Sequence, residues 1–382
     1  MPPCALRAGS PLAPLHRNGR IMRLKLTKTK NLPIGVDLGS SSVKMAQMRV
    51  ADDGLAMTAA ALCEIPRDRR NNPQARMDFL AGVIRENLKS HPFVGNECIL
   101  SLPAEATVIQ HVKLPKLPPQ EIAKALRTEL QGKLPFAGSD AIIRHIAAGS
   151  TYGDGQEKDE IIAVCCSRKT LDGYLEMAQQ ARLDVLGVNI EAFAVVECFG
   201  RLFRRAADAA RTILFVDLGA ASTQVVLSQG NRVVFARNLK LAGNQFDDVV
   251  AKGLKIPLEQ ASALRRDLGK AQGSDSEEEL YHLLEAPLGK LTDELTQCLQ
   301  YYESVFRNQS IERTIFVGGQ ASDKRLCQTI AQRLNLPAQI GDPLVRVRRL
   351  EGAGMVIGLD RREPQPAWAV AVGLSLGADK AA

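Results

Sequence analysis

The sequence predicts an α/β protein built from two similar halves, on three observations. Leu32–Met48 reads LPIGVDLGSSSVKMAQM, and Thr212–Ser228 reads TILFVDLGAASTQVVLS. Each is an apolar strand ending in Val-Asp-Leu-Gly, a turn of small residues and a second apolar strand, and the copies begin 180 residues apart. That period is far longer than the roughly 20–50 residues of a solenoid repeat, so it implies duplicated halves. Segments of helical period are interspersed with the strands, which places the chain in the α/β class.

The elements follow in chain order. Both copies lead into a third strand, over Leu55–Ile65 in the first and Arg232–Leu241 in the second. Gln120–Leu134 puts Ile122, Leu126, Leu130 and Leu134 on one stripe and predicts a helix that stops at Pro135. Gly149–Asp159 reads as a hairpin tip, and Thr170–Ala181 as a helix with Leu171, Leu175 and Ala178 on one face. Glu279–Phe306 reads as one or two helices, with the acidic run Asp275–Glu279 as a solvated helix start favoured by the macrodipole. A third apolar strand, Thr314–Val317, runs into Gly318-Gly319, and the helix after it ends at Leu336-Pro337. The alternation of Val345 and Val347 with Arg346–Arg349 predicts an exposed strand edge, the alternative being contact with an acidic partner.

Composition narrows the function. The chain has 382 residues, 45% apolar and 24% charged, which fits a globular protein of more than one compact unit. Its net charge of +7 is misleading, because residues 1–31 carry seven basic side chains and no acid. Residues 32–382 hold 42 basic and 42 acidic groups, so the charge gives no reason to expect nucleic acid. The longest uncharged stretch, Pro364–Ala378, has 15 residues and two prolines, short of the ~18 that a membrane span needs. Three readings stand for residues 1–21: a misassigned start ahead of Met22, a disordered basic arm, or a contact with anionic lipid at ~1 kcal/mol per basic residue. Residues 2–20 have no continuous apolar stretch of the kind a secretory signal uses. The eight cysteines form no CxxC pair, and all are expected to be reduced, structural and in the cytoplasm.

The chemistry concentrates in the two turns. Asp37 ends a strand, and Gly39, Ser40, Ser41 and Ser42 make a tight turn followed by Lys44. Successive backbone N–H groups in such a turn form a concave anion site, to which the hydroxyls add donors and Lys44 a positive charge. Asp217, Gly219, Ser222 and Thr223 repeat the pattern. Two facing turns would grip a polyphosphate from both sides. Asp37 and Asp217 would then share one space, as a magnesium–nucleotide complex requires, since magnesium takes one or two carboxylates plus phosphate oxygens. No P-loop and no Rossmann fingerprint occurs, and the five histidines have no ligand spacing.

These residues resemble the actin-like ATPase superfamily. Asp37-Leu-Gly-Ser-Ser-Ser is similar to its first phosphate motif, Asp217-Leu-Gly-Ala-Ala-Ser-Thr to its second and Gly318-Gly319-Gln-Ala-Ser to its adenosine motif. Gly187-Val-Asn-Ile-Glu-Ala-Phe-Ala and Ala367-Trp-Ala-Val-Ala-Val-Gly-Leu resemble its two connecting segments. Within the superfamily the nearest resemblance is to the type IV pilus assembly PilM branch. It is carried by Ile34-Gly-Val-Asp-Leu-Gly-Ser-Ser-Ser-Val-Lys, Glu129-Leu-Gln-Gly-Lys-Leu-Pro-Phe, Asn189-Ile-Glu-Ala-Phe-Ala and Ala369-Val-Ala-Val-Gly-Leu-Ser-Leu.

The resemblance implies an actin-like ATPase fold, two similar halves around a nucleotide cleft with an inserted subdomain in the first half. It implies a tail over 1–31 and a first half over 32–102, continued by 185–211 and 355–382. The insertion would be 103–184 and the second half 212–354. It further implies ATP and Mg²⁺ as ligands. Asp37 would face the metal, Ser40, Ser41, Ser42 and Lys44 the terminal phosphates, and Gly219, Ser222 and Thr223 the phosphates from the other side. Glu191 would sit near an attacking water, Asp217 would position metal or water, and Gly318 and Gly319 would admit adenosine to the backbone. Two departures stand out: Ala242-Gly243 where relatives often carry Gly-Gly, and Ser262 and Arg265 where they often carry Glu and Lys.

The expected function is a cytoplasmic ATP-binding scaffold at the inner-membrane platform of a type IV pilus or related secretion machine. Its partner would be the N-terminal cytoplasmic peptide of a PilN-like membrane protein, with other platform proteins and motor ATPases as further contacts. Membrane contact would be indirect, nucleic acid is not expected, and self-association is left open. The alternatives are a sugar-type kinase, for which no substrate base can be named, and an FtsA-like filament protein. The latter usually ends in an amphipathic helix, for which Leu376-Gly-Ala-Asp-Lys-Ala-Ala is too short. ATP turnover is expected to be slow or absent.

Overall fold

The two copies of the strand–turn–strand unit fold into the centres of two separate sheets. A computed structural model describes residues 30–52, 54–153, 155–203, 211–268, 275–306, 309–349 and 363–377. The basic tail over 1–29, with Cys4, and the last five residues lie outside the described residues.

In the first half, β1 (Lys30–Leu38), β2 (Ser42–Ala51) and β3 (Gly54–Glu64) form an antiparallel meander. On the other side of β1 lie β4 (Glu97–Leu102) and β8 (Asp184–Ile190), both parallel to it. The short β14 (Val347–Arg349) closes the opposite edge against β3, as the alternating Val and Arg residues predict. The second half repeats the plan: β9 (Thr212–Leu218), β10 (Thr223–Gln229) and β11 (Arg232–Leu239) form the meander. β12 (Ile311–Val317) and β13 (Ala338–Ile340) add in parallel beyond β9. β9 is buried along its whole length and β1 from Ile34 onward, which is why both read as continuous apolar runs rather than alternating ones.

Between the two sheets lies a helix pair, α5 (Glu191–Gly200) against β10 and β11, and α10 (Ala369–Leu376) against β1 and β2. The outer face of the first sheet is covered by α2 (Pro73–Ser90) and α4 (Arg168–Gln180), with Ile34, Val36, Leu80, Ile84, Tyr174 and Met177 in one cluster. The second sheet is joined in the largest cluster by residues of the 31-residue α8 (Asp275–Val305).

A third, three-stranded sheet is made by β5 (Val108–Pro115), β6 (Ala141–Gly153) and β7 (Gln156–Ser167) in the order β5-β7-β6. With α3 (Pro119–Glu129) it has a small core of its own around Val112, Leu126 and Ile161. This sheet also touches the second half: His111 Nε2 lies 3.2 Å from the Ala236 carbonyl, and its ring stacks on Phe235. Tyr301 Oη donates to the buried Glu160 at 2.7 Å.

Three element readings are corrected. The stripe through Leu134 is not helical to its end: α3 stops at Glu129, and the chain turns through Gly132, whose φ of 72° leaves the helical region. Leu130 and Leu134 still pack on the small core, so the apolar spacing survives the change of conformation. The hairpin tip is narrower than Gly149–Asp159, because β6 and β7 pair from Ala141–Ser167 as far as Gly153–Gln156. The acidic run does open a helix, but it is not wholly solvated. Glu277 is buried, and its carboxylate lies 3.6 Å from Arg325 of α9 (Lys324–Leu334). The seven described cysteines are all free, and six of them are buried.

Candidate functional site

Asp37 and Asp217 each occupy the penultimate position of the central strand of a sheet, and both line a single cleft of about 920 Å³. The cleft is lined from the first half by Gly39, Ser40, Ser41, Ser42 and Lys44, and from the second by Gly219 and Ser222. Glu191, the first residue of α5, and the Gly318-Gly319 turn after β12 complete it. The structure thus brings together every residue singled out in the sequence except one.

The exception is Thr223. It is fully buried, and its hydroxyl donates to the Leu241 carbonyl at 2.6 Å. As the first residue of β10 it braces the end of the second meander instead of facing the cleft. Strand pleating decides this, since successive side chains point to opposite faces.

The electrostatics of the cleft are those of crowded carboxylates. Asp37 is buried, with Lys44 Nζ 3.2 Å from its Oδ2 and Ser101 Oγ 3.5 Å from its Oδ1. Burial first, then the nearby Asp37 charge, pushes the Asp217 carboxyl up to about 7, with Lys44 acting in the opposite direction. Glu191 is held well above the usual carboxylate range by burial, then by Asp37, Asp217 and Glu105 in turn. Asp37, Asp217 and Glu191 thus crowd three carboxylates around Lys44, and burial with mutual repulsion biases Asp217 and Glu191 toward their protonated forms.

The backbone of the third turn is built for close approach. Gly318 has a φ of 90°, and a Cβ there would lie 2.3 Å from Asp217 Oδ1. Only glycine combines that backbone with that contact. Its N–H donates to the Pro366 carbonyl at 3.0 Å, tying the turn to the segment that leads into α10. Beside it, Ser262 of α7 (Leu258–Leu268) lines the cleft. Arg265, one turn further on, is almost wholly buried and donates to the Gly243 carbonyl at 3.1 Å, to Asp247 Oδ1 at 2.5 Å and to Gln320 Oε1 at 2.9 Å. It thereby joins α7 to α6 (Gly243–Leu254) and to the third turn.

Sequence reasoning missed several residues around this cleft. Ser101 at the end of β4 accepts from the Leu38 amide at 3.3 Å and fixes the strand end that carries Asp37. Glu105 also lines the cleft, and its charge acts on Glu191. Arg76 of α2 lies behind the first turn and donates to three of its carbonyls. No motif marks any of them. The one available signal was Arg76 itself, an arginine in register with the buried positions Leu80 and Ile84 of its helix.

A family model described as type IV pilus assembly protein PilM matches residues 35–378. Among solved structures, a PilM-PilN type IV pilus biogenesis complex is similar, with a TM-score of 0.74 at 22% identity over 91% of this chain and 98% of that chain. The ethanolamine utilization protein EutJ from Carboxydothermus hydrogenoformans is similar at a TM-score of 0.52 and 12% identity, over 91% and 89% of the two chains. At these identities the structural likenesses speak to the fold, which is that of the actin-like ATPases. The family match spans both duplicated turns, the three-stranded sheet and both helices between the sheets, so the chain belongs to the family of type IV pilus assembly protein PilM.

Proposed function

We propose that this protein is an ATP-binding scaffold of a type IV pilus assembly machine, recruited by the N-terminal cytoplasmic peptide of a PilN-like membrane protein. The observation that carries the nucleotide reading is the convergence of Asp37, Asp217 and two glycine turns on one cleft. In this reading the turn amides and Ser40, Ser41, Ser42 and Lys44 hold the terminal phosphates from one side, and Gly219 and Ser222 hold them from the other. Asp37 and Asp217 hold Mg²⁺, which when bound neutralises charge on the phosphate oxygens. Glu191 orients a water, and Gly318 and Gly319 receive the adenosine. Turnover stays below ~1 s⁻¹, under the ordinary enzyme range.

The domain reading takes 32–102 with the connecting segments as the first half, 103–184 as the insertion and 212–354 as the second half, from which Val347–Arg349 return to the edge of the first sheet beside β3. Among the described residues no helix is long and apolar enough to cross a membrane. We therefore place the protein at the cytoplasmic face of the inner membrane through its partner, with other platform proteins and motor ATPases as further contacts.

The peptide lies, in this reading, in the groove between the first half and the insertion. β8 supports that choice. It is an edge strand, it follows the chain's return from the three-stranded sheet, and it carries the exposed apolar residues Leu186 and Val188. An extended peptide can add to such an edge through main-chain hydrogen bonds, with apolar side chains giving specificity. Titration of the partner's N-terminal peptide should give roughly micromolar affinity, near −8 kcal/mol. The double substitution Leu186→Glu and Val188→Glu should weaken it at least tenfold, roughly 1.4 kcal/mol, and leave Mg–ATP binding unchanged. Full affinity in the double variant would put the groove elsewhere. No binding by the unaltered protein would remove the partner from the proposal.

A further inference from the structure

A phosphate-binding turn must keep its N–H groups aimed at the ligand. In a trans peptide the C=O of one residue and the N–H of the next point in opposite directions. Whatever holds the carbonyls of the turn from behind therefore holds the amides toward the cleft. The second turn does this with backbone: Gly243 N donates to the Gly219 carbonyl at 3.2 Å, and Asn244 N to the Ala220 carbonyl at 2.7 Å. Both donors belong to the N-terminus of α6.

The first turn uses one side chain instead. Arg76 Nη1 donates to the Ser40 carbonyl at 3.0 Å, and Nη2 to the carbonyls of Leu38 at 3.2 Å and Gly39 at 2.8 Å. Those three peptides carry the N–H groups of Gly39, Ser40 and Ser41, residues that line the cleft. The next carbonyl, that of Ser41, accepts from Ile65 N at 2.8 Å. Arg76 is buried, is absent from the cleft lining, and lies near enough to the buried Tyr174 of α4 for its charge to act on that phenol. A guanidinium suits the task, because its planar fork presents several donors in fixed directions.

We infer that Arg76 is the positioning residue of the first phosphate turn, holding three consecutive carbonyls so that the amides of Gly39, Ser40 and Ser41 meet the terminal phosphates. The inference rests on the reading of the cleft as an ATP site. It implies that Arg76 governs affinity for phosphates and not for the nucleoside.

The test is calorimetric titration of Mg–ATP and, separately, of adenosine at millimolar concentration into the full-length protein and its Arg76→Gln and Arg76→Lys variants. Arg76→Gln should lose about tenfold or more in Mg–ATP affinity, as expected for hydrogen bonds from a charged donor, and keep adenosine affinity within about twofold. Arg76→Lys, with one ammonium for three carbonyls, should fall between the two. A parallel loss for ATP and adenosine would mean that Arg76 merely supports the fold and would overturn the inference. So would an Arg76→Gln protein that binds Mg–ATP as the unaltered protein does. If Arg76→Gln does not fold, the ratio of the two losses in Arg76→Lys decides by the same criterion. Unaltered protein that binds no Mg–ATP would remove the nucleotide reading itself, a result distinct from an unaltered protein that binds and a variant that binds equally.

Discussion

Asp217 is the residue on which the chemistry of the cleft turns. Its carboxyl titrates near 7 in the folded protein because burial and the Asp37 charge oppose ionisation. The ordinary unfolded value is about 3.9. A carboxyl raised on folding costs stability where the unfolded chain is ionised and the folded site must follow. The cost is absent below the unfolded value, grows as pH rises, and is complete above about 7. Relative to Asp217→Asn, the unaltered protein without divalent cation should therefore lose stability between about pH 4 and about pH 7, checked by denaturant melts across that range. Mg²⁺ binding, which needs the carboxylate, should tighten over the same interval. A stability difference between the two proteins that does not change with pH would contradict the site's electrostatics. The aspartates were legible in the sequence because the surrounding strand and turn are duplicated around them. Thr223 was misread because a residue one step beyond a turn can belong to either face of the strand it begins. Arg76 went unread because its register with Leu80 and Ile84 marks only a buried position, while its role is set by where α2 packs.

At the scale of elements, the crossing of α5 and α10 joins the two halves. A Cβ at Gly373 would lie 1.8 Å from the Ala194 carbonyl, and one at Gly35 would lie 2.0 Å from the Ala371 carbonyl. The helix pair and β1 thus approach each other backbone to backbone. Helix propensity alone would favour Gly373→Ala by about 1 kcal/mol. The contact reverses the sign, because backbone cannot give way as a flexible side chain can. Gly373→Ala is expected to destabilise by about 1–3 kcal/mol, the range for overpacking a tight core, as read by chemical denaturation. A stabilised variant would show that the crossing is looser than described. Long apolar periods such as those of α8 and α9 were readable in advance, since each buries one continuous stripe. The end of α3 was not, because Leu130 and Leu134 reach their small core from a turn as well as from a helix. Nor was the burial of Glu277, which depends on Arg325 arriving from a distant helix.

At the scale of the molecule, the two sheets could be inferred because each central strand repeats the other's sequence. How the two halves and the three-stranded sheet meet could not, since those contacts join residues far apart in the chain. The three-stranded sheet is fixed to the second half through His111, Glu160 and Tyr301, and Thr151 Oγ1 donates to the Val305 carbonyl at 3.3 Å. Across the cleft mouth, Arg67 lies 3.8 Å from Asp247 and 3.9 Å from Glu259, and Arg266 lies 3.6 Å from Glu64. Several of these groups are exposed, and pairs of this kind contribute ~0–1 kcal/mol each and weaken with salt. These pairs contribute little to holding the two sides of the cleft together.

Titration calorimetry of Mg–ATP into the full-length protein and its Asp37→Ala and Asp217→Ala variants, followed by thermal melts of each, therefore tests the central claim most directly. The unaltered protein should bind saturably and melt higher with ligand, as expected when ~2.7 kcal/mol is added at a hundredfold excess over Kd. Both variants should remain folded and lose the heat and the shift. Binding that survives intact in two folded variants, or no binding by the unaltered protein, would contradict the account.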